Sequence, residues 1–289
     1  LIEIDFILKR IGMKQLSSPK AIAEYFRILL NKKKYVVLFA YNGIGKTRLS
    51  VEFKSLGQEL DEEENEKTAD TLYYNAFTED LFYWDNDLDN DTERFLKLNS
   101  NSTFFVGLKE LEMESRIRLL LHRYVNIDFI IDYEQEEIRF SRDILVLGKQ
   151  EQVDNIKISR REENIFIWCF FLAIVQLVVD KVESYSWVKY IFVDDPISSL
   201  DDNNVIAVAC HLTQLMKSAD ENIKIIITTH HTLFFNVLCN EIDNAEQIFL
   251  QKDTKTEEYI LKDTSRTPFF HHIALLKELK KASDSGNLY

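Results

Sequence analysis

The sequence predicts an α/β fold in which a mostly parallel sheet is flanked by helices and interrupted by an inserted lobe. Three observations carry this. First, Tyr35 to Phe39 (YVVLF) is a short, wholly apolar run that opens directly into a glycine-containing segment, Ala40-Tyr41-Asn42-Gly43-Ile44-Gly45-Lys46-Thr47. Second, two more apolar runs, Lys189 to Val193 (KYIFV) and Ile223 to Thr229 (IKIIITT), bracket a helix-like stretch from Asn203 to Met216. Strands apolar without alternation are those buried on both faces, as in parallel sheets, and strand, helix, strand in that order implies a right-handed crossover. Third, 289 residues at 46% apolar and 29% charged can bury a large core.

Composition excludes several classes. Lys plus Arg number 35 and Asp plus Glu 48, a net charge of −13, which repels phosphate backbones and argues against a surface devoted to nucleic acid. Cys169, Cys210 and Cys239 are odd in number and form no CxxC pair, so neither a disulfide framework nor a structural zinc is expected, and a reducing, cytoplasmic setting fits. The longest apolar run, Ile165 to Val179, contains Gln176 and lies between Glu163 and Asp180. It is short for a membrane span and reads as a buried helix. No signal peptide is visible, and the chain opens on Leu1 rather than Met, so a start further upstream is expected.

In chain order, residues 1–34 read as a helical lead-in, with Ile22, Tyr25, Phe26 and Leu29 at helical spacing and Lys32-Lys33-Lys34 at the end where a helix favours cations. A helix should follow the glycine segment to about Leu60. The acidic run ELDEEENE (59–66) reads as a solvated loop. Residues 76–157 are mixed in pattern and form the expected inserted lobe within a domain of 35–265. QIFL (247–250) and EYIL (258–261) suit a hairpin, and Phe269 to Ala282 a last helix within 266–289.

The glycine segment carries the first chemistry. Gly43 and Gly45 are two of only seven glycines, and the spacing to Lys46 and Thr47 is that of a P-loop with Ala40 in place of its first glycine. Consecutive backbone N–H groups must wrap a phosphate at close range there, which side chains would obstruct. Asn42 through Arg48 are therefore expected to bind nucleotide. Lys46 would reach the β- and γ-phosphates, Thr47 would ligate Mg²⁺, and the following helix would point its positive end at the anion.

At the end of KYIFV stand Asp194 and Asp195. A carboxylate at a strand end beside the P-loop is placed to hold Mg²⁺, the expected role of Asp194, while Asp195 would orient the attacking water. Ser198-Ser199-Leu200-Asp201-Asp202 follows, and then Thr228-Thr229-His230-His231 after the next strand. This order resembles the Walker B, D-loop and H-loop of ABC-type ATPase heads. The resemblance implies that His230 contacts the γ-phosphate, with His231 a solvent-facing neighbour, and that Asp201 lies between two heads. It also aligns Ile158-Ser159-Arg160-Arg161-Glu162 with the LSxGE signature, which makes Ser159 and Glu162 nucleotide contacts across a head-to-tail dimer. Arg161 stands where the family has glycine, so its side chain would either obstruct that contact or supply a cation. Asp195 is one methylene shorter than the family's usual Glu.

Together with Leu72 to Asp87 (LYYNAFTEDLFYWDND) and ENIFIW (163–168), these segments resemble the N-terminal ATPase portion of PrrC-type bacterial anticodon nucleases over roughly residues 35–265. The resemblance implies an ATP- or GTP-dependent, Mg²⁺-dependent ATPase, acting as a homodimer or higher oligomer, that controls a tRNA-cleaving toxin of phage defence. It also implies a type I restriction-modification complex as partner, and contact with tRNA only through a nuclease domain expected outside this chain. His271 and His272 are not expected to serve such a domain. Two alternatives stay open: a stand-alone ABC-type ATPase of DNA repair or defence, and a nucleotide sensor with little turnover.

Overall fold

The structure, a computed structural model, describes residues 13–60, 67–75, 82–86, 94–98, 112–146, 149–197, 202–253 and 255–265. The chain divides into two compact units, one of residues 1–73, 188–198 and 205–289, the other of residues 74–187 and 199–204.

The first unit begins with β1 (Met13–Leu16) and α1 (Pro19–Leu30), followed by β2 (Tyr35–Phe39) and α2 (Lys46–Ser55). A short pair, β3 (Glu59–Leu60) and β4 (Lys67–Thr68), precedes β5 (Thr71–Asn75). Four strands that the first unit also contains, β11 (Tyr190–Asp194), β12 (Lys224–Thr229), β13 (Glu246–Lys252) and β14 (Tyr259–Asp263), come after the second unit's elements. The seven-stranded sheet runs β1-β14-β13-β2-β12-β11-β5. Its middle, β13-β2-β12-β11, is parallel, whereas β14 is antiparallel to both β13 and β1. All five residues of β2 are buried, as its unbroken apolar run requires. The sheet and helices α1 and α2 share one core containing Phe26, Val36, Leu38, Phe53, Phe192 and Ile226.

Two expectations change here. Residues 13–16 are a strand rather than part of a helical lead-in, because β14 offers an open edge with which Met13 to Leu16 pair. The helix starts only where Ser18 caps it, its hydroxyl accepting from the Ala21 N–H at 3.2 Å, with Pro19 in the first turn. It ends at Leu30, so the lysine triplet lies beyond it. Lys34 instead donates to the Ala219 carbonyl at 2.7 Å. Likewise α2 stops at Ser55 rather than near Leu60, closing through Leu56 and Gly57. Glu59 and Leu60 of the acidic run belong to β3, and residues 61–66 lie outside the described residues.

The second unit holds β6 (Phe82–Asn86), β7 (Arg94–Leu98), α3 (Met113–Leu121), β8 (Asp128–Asp132), β9 (Glu137–Val146), β10 (Lys149–Val153) and α4 (Arg160–Val179). It takes in the stretch the sequence marks as an insert and also α4. Helix α4 is the apolar run expected to be a buried helix. Phe166 packs on Phe129 and Phe140, with ring centroids 5.0 and 5.1 Å apart, and Tyr74 on Trp168 and Phe171, at 5.1 and 4.7 Å. It is the one described helix long and apolar enough to cross a membrane, and 78% of its apolar window is buried within the protein. The remaining helices, α5 (Asp202–Ser218) and α6 (Thr232–Glu241), follow β11 and β12. The hairpin expected near the end is β13–β14, and the last expected helix lies outside the described residues.

Candidate functional site

The parallel register brings three strand ends together. Thr228 of β12 faces Asp194 of β11, and Thr229 faces Phe39 of β2. Beyond Phe39 the chain turns through the glycine segment into α2, and the Ala40 N–H donates to the Thr229 carbonyl at 3.0 Å. Gly43 and Gly45 take φ of +83° and +105°, a region that side chains resist. The two glycines are therefore required by the turn itself, and their N–H groups lead into the start of α2, where an anion is favoured.

Lys46 is 7% exposed. Its Nζ donates to the Ala40 carbonyl at 3.1 Å and to Asn42 Oδ1 at 3.1 Å, and lies 3.5 Å from Asp195 Oδ2. Asp195 also accepts from the His230 N–H at 3.3 Å, and its Oδ2 lies 2.6 Å from His230 Nδ1. Burial opposes ionisation of Asp195, but the His230 hydrogen bond and the charges of Lys46 and His230 outweigh it and hold the carboxyl below the usual carboxylate range. Asp195 has φ of +51°, a conformation that Asp and Asn tolerate better than longer side chains.

Asp194 is 1% exposed. Its Oδ1 accepts from Thr228 Oγ1 at 2.6 Å, and the Thr228 and Thr47 hydroxyls favour its ionised form. Burial, joined by the neighbouring charge of Asp195, nevertheless pushes its pKa up. A divalent cation would relieve that destabilisation. The donors present are oxygens, which suits Mg²⁺, an ion that keeps several waters and takes one or two carboxylates together with phosphate oxygens. Among the described residues no cluster of three His, Cys, Asp or Glu could hold a metal alone.

Of the residues expected from sequence, the structure thus gathers Asn42, Lys46, Thr47, Asp194, Asp195 and His230. Ile44 and the exposed Arg48 flank the turn. His231 is not a free solvent-facing neighbour: it is the N-cap of α6, accepting from the Phe234 N–H at 3.4 Å. Ser159 and Glu162 belong to the second unit, and Asp201 lies outside the described residues, as do His271 and His272. Ser159 caps α4, and its spacing to Glu162 forms a reciprocal capping box, with Glu162 Oε2 2.8 Å from both the Ser159 N–H and hydroxyl. Arg142 of β9 takes the other oxygen of Glu162. Arg142, Ser159 and Glu162, with Tyr124, Asn126 and Arg161, line a cavity of about 410 Å³.

Sequence reasoning missed Thr228, Ser50 and Tyr73. Thr228 was legible only as part of the TTHH string. Ser50 follows Thr47 by three residues, one helical turn, and so shares its face. Tyr73 sits in the aromatic segment that resembles the nuclease family, without a role that spacing could disclose.

Among known proteins, the chain is 35% identical over 306 residues to the anticodon nuclease of Escherichia coli, across 95% of this chain and 76% of that protein. The family AAA_13, described as an AAA domain, matches residues 145–285. Solved structures with distant likeness include the SMC head domain with a coiled coil and joint from Pyrococcus yayanosii, at 15% identity over 61% of this chain and 30% of that one, TM-score 0.39. Another, described under ATP-driven dimerization and DNA-stimulated activation of SMC ATPases, is 14% identical over 62% of this chain and 98% of that one, TM-score 0.40. The α/β architecture rests on the strand order and the glycine turn of this chain. The likeness to the Escherichia coli protein runs along nearly the whole sequence, and the chain belongs to the anticodon nuclease family.

Proposed function

We propose that this chain is the nucleotide-binding and hydrolysing ABC-type ATPase portion of an anticodon nuclease, and that nucleotide turnover regulates a tRNA-cleaving activity. The observation that carries the reading is the convergence of Lys46, Asp195 and His230 in one chain of contacts, beside Asp194 and Thr47. Asn42 to Arg48 would wrap the phosphates of ATP or GTP, and Lys46 would leave its present partners for the β- and γ-phosphates. Asp194 and Thr47 would hold Mg²⁺, which neutralises phosphate charge. Asp195 and His230 would position the attacking water and the γ-phosphate. Ser159, Glu162 and Asp201 would act across a head-to-tail homodimer or higher oligomer, with Arg161 as a cation at that interface. The nuclease domain, the tRNA, a type I restriction-modification partner and a cytoplasmic location complete the proposal by family membership.

Lys46→Ala tests the binding claim. Losing charge-assisted bonds to phosphate should weaken nucleotide binding about 10- to 100-fold, measured with a fluorescent ATP or GTP analogue. An unchanged affinity refutes the phosphate site. Ser159 needs a separate test because its hydroxyl is already engaged as a cap. Ser159→Ala should cost about 1 kcal/mol in denaturant unfolding, and Ser159→Asp, also a good cap, should restore stability. If Ser159 also contacts phosphate from a second copy, Ser159→Asp should still impair nucleotide-driven dimerisation, seen by light scattering. Normal dimerisation would leave it a cap alone.

A nucleotide sensor with little turnover is the second reading, favoured by the engagement of the Asp195 carboxylate with Lys46 and His230. Steady-state phosphate release compared with nucleotide-induced dimer formation separates the two.

A further inference from the structure

We propose that Tyr73 is a positioning residue for the metal-binding oxygen of Asp194, acting with Ser50 as a hydroxyl pair that sets Mg²⁺ affinity. This rests on the nucleotide reading above and extends it to two residues outside the P-loop and Walker B motifs. The two oxygens of Asp194 are held unequally. Oδ1 is fixed by Thr228 at 2.6 Å. Oδ2 faces two hydroxyls at longer range, Ser50 Oγ at 3.4 Å and Tyr73 Oη at 3.5 Å.

A proton census explains the difference. Ser50 has one hydroxyl proton, and its shortest acceptor is the Thr47 carbonyl at 2.8 Å. Its oxygen also lies 3.0 Å from the Tyr73 hydroxyl, within hydrogen-bond range of it. With the Ser50 proton on Thr47, the Tyr73 hydroxyl is the donor to Oδ2, at 3.5 Å, and Oδ2 keeps a further lone pair for a cation. That hydrogen bond fixes the carboxyl plane, and Ser50 holds the Tyr73 hydroxyl in place. The ring of Tyr73 is itself held against Phe192, with centroids 6.2 Å apart, so the hydroxyl is aimed by packing. Ser50 is fully buried, so water cannot replace it at this place. Groups that orient a ligating carboxylate in this way typically control metal affinity about 10- to 100-fold.

The test uses Tyr73→Phe, which removes the hydroxyl and keeps the packed ring, and Ser50→Ala. Each is titrated with MgCl₂ in the presence of the non-hydrolysable analogue AMP-PNP or GMP-PNP, whichever the wild type binds, and nucleotide binding is measured in parallel in EDTA. Each variant should need about tenfold more Mg²⁺ for half-maximal effect with unchanged nucleotide affinity in EDTA, and Tyr73→Phe, which keeps the packed ring, should also keep its melting temperature. The double variant should lose no more than the larger single loss, because both act on one oxygen. Tyr74→Phe, a neighbour that packs on Trp168 and Phe171 in the second unit, serves as the control and should leave Mg²⁺ dependence unaltered. An Mg²⁺ midpoint in Tyr73→Phe within twofold of wild type overturns the proposal while leaving the nucleotide site standing. A wild type that binds neither analogue overturns the underlying reading as well.

Discussion

Asp195→Asn should lower steady-state phosphate release about 100- to 1000-fold, the range seen when one preorganised electrostatic group is removed from an active site, while nucleotide should bind at least as tightly as to the wild type. The two halves of this outcome have separate causes. Turnover falls because the carboxylate that holds His230 Nδ1 at 2.6 Å loses its charge, so the imidazole is no longer oriented by an anion. Binding is preserved or improved because Asp195 Oδ2 lies 3.5 Å from Lys46 Nζ and competes with the phosphates for it. Asn removes that competitor. The substitution is also suited to the backbone, since Asn tolerates the φ of +51° found at this residue. Single-turnover and steady-state phosphate release, alongside fluorescent-nucleotide titration, separate the two effects. A variant that turns over at the wild-type rate refutes the role of Asp195, and one that binds much more weakly refutes the competition.

The second large effect concerns stability. Arg27→Ala should destabilise the protein by about 3 kcal/mol, the low end for breaking a buried ion pair because both side chains keep some solvent contact. Arg27 joins four segments. Its Nη1 lies 2.5 Å from Asp70 Oδ2, and its Nη2 donates to Asp70 Oδ1 at 3.1 Å and to the Phe53 carbonyl at 2.8 Å. The guanidinium lies against the rings of both Phe53 and Tyr190, 4.4 and 4.5 Å from their centroids. Gly57 leaves room for the pair: a Cβ there would fall 1.7 Å from Asp70 Oδ1. Arg27→Lys should recover less than half of the loss, because an ammonium offers neither the fork nor the flat face. Urea unfolding of the three proteins measures this, and a loss under about 1 kcal/mol would refute it.

The same pair predicts a pH dependence. Burial works against ionisation of Asp70, but hydrogen bonds from Arg27 and Thr71 and the Arg27 charge dominate and depress its pKa. A depressed carboxylate contributes stability that is fully present above its unfolded pKa of about 4 and fades as pH falls through the folded value. The stability gap between wild type and Arg27→Ala should therefore be constant at neutral pH and narrow below about pH 4.

Much of this was legible because local rules and tertiary demands agree. The apolar runs YVVLF, YIFV and IIITT are strands since nothing else buries them on both faces, and the P-loop announces itself because close phosphate approach and positive φ both demand Gly43 and Gly45. The failures have two causes, a partner far off in sequence in one case and an unrecognised local cap in the other. Met13 to Leu16 became a strand because the edge of β14, from residue 259 onward, was available to pair. His231 looked idle until the next helix required a cap.

The sequence by itself determined the parallel strands, the phosphate turn, the carboxylate pair, the histidine and the family, because each is written in contiguous residues whose spacing is the chemistry. Only the tertiary structure decided which carboxylate meets Lys46 and that Ser50 and Tyr73 flank the other. Those relations join residues as far apart as Ser50 and Asp194, 144 positions along the chain, and side chains that meet only when the sheet is assembled leave no period or spacing in the chain.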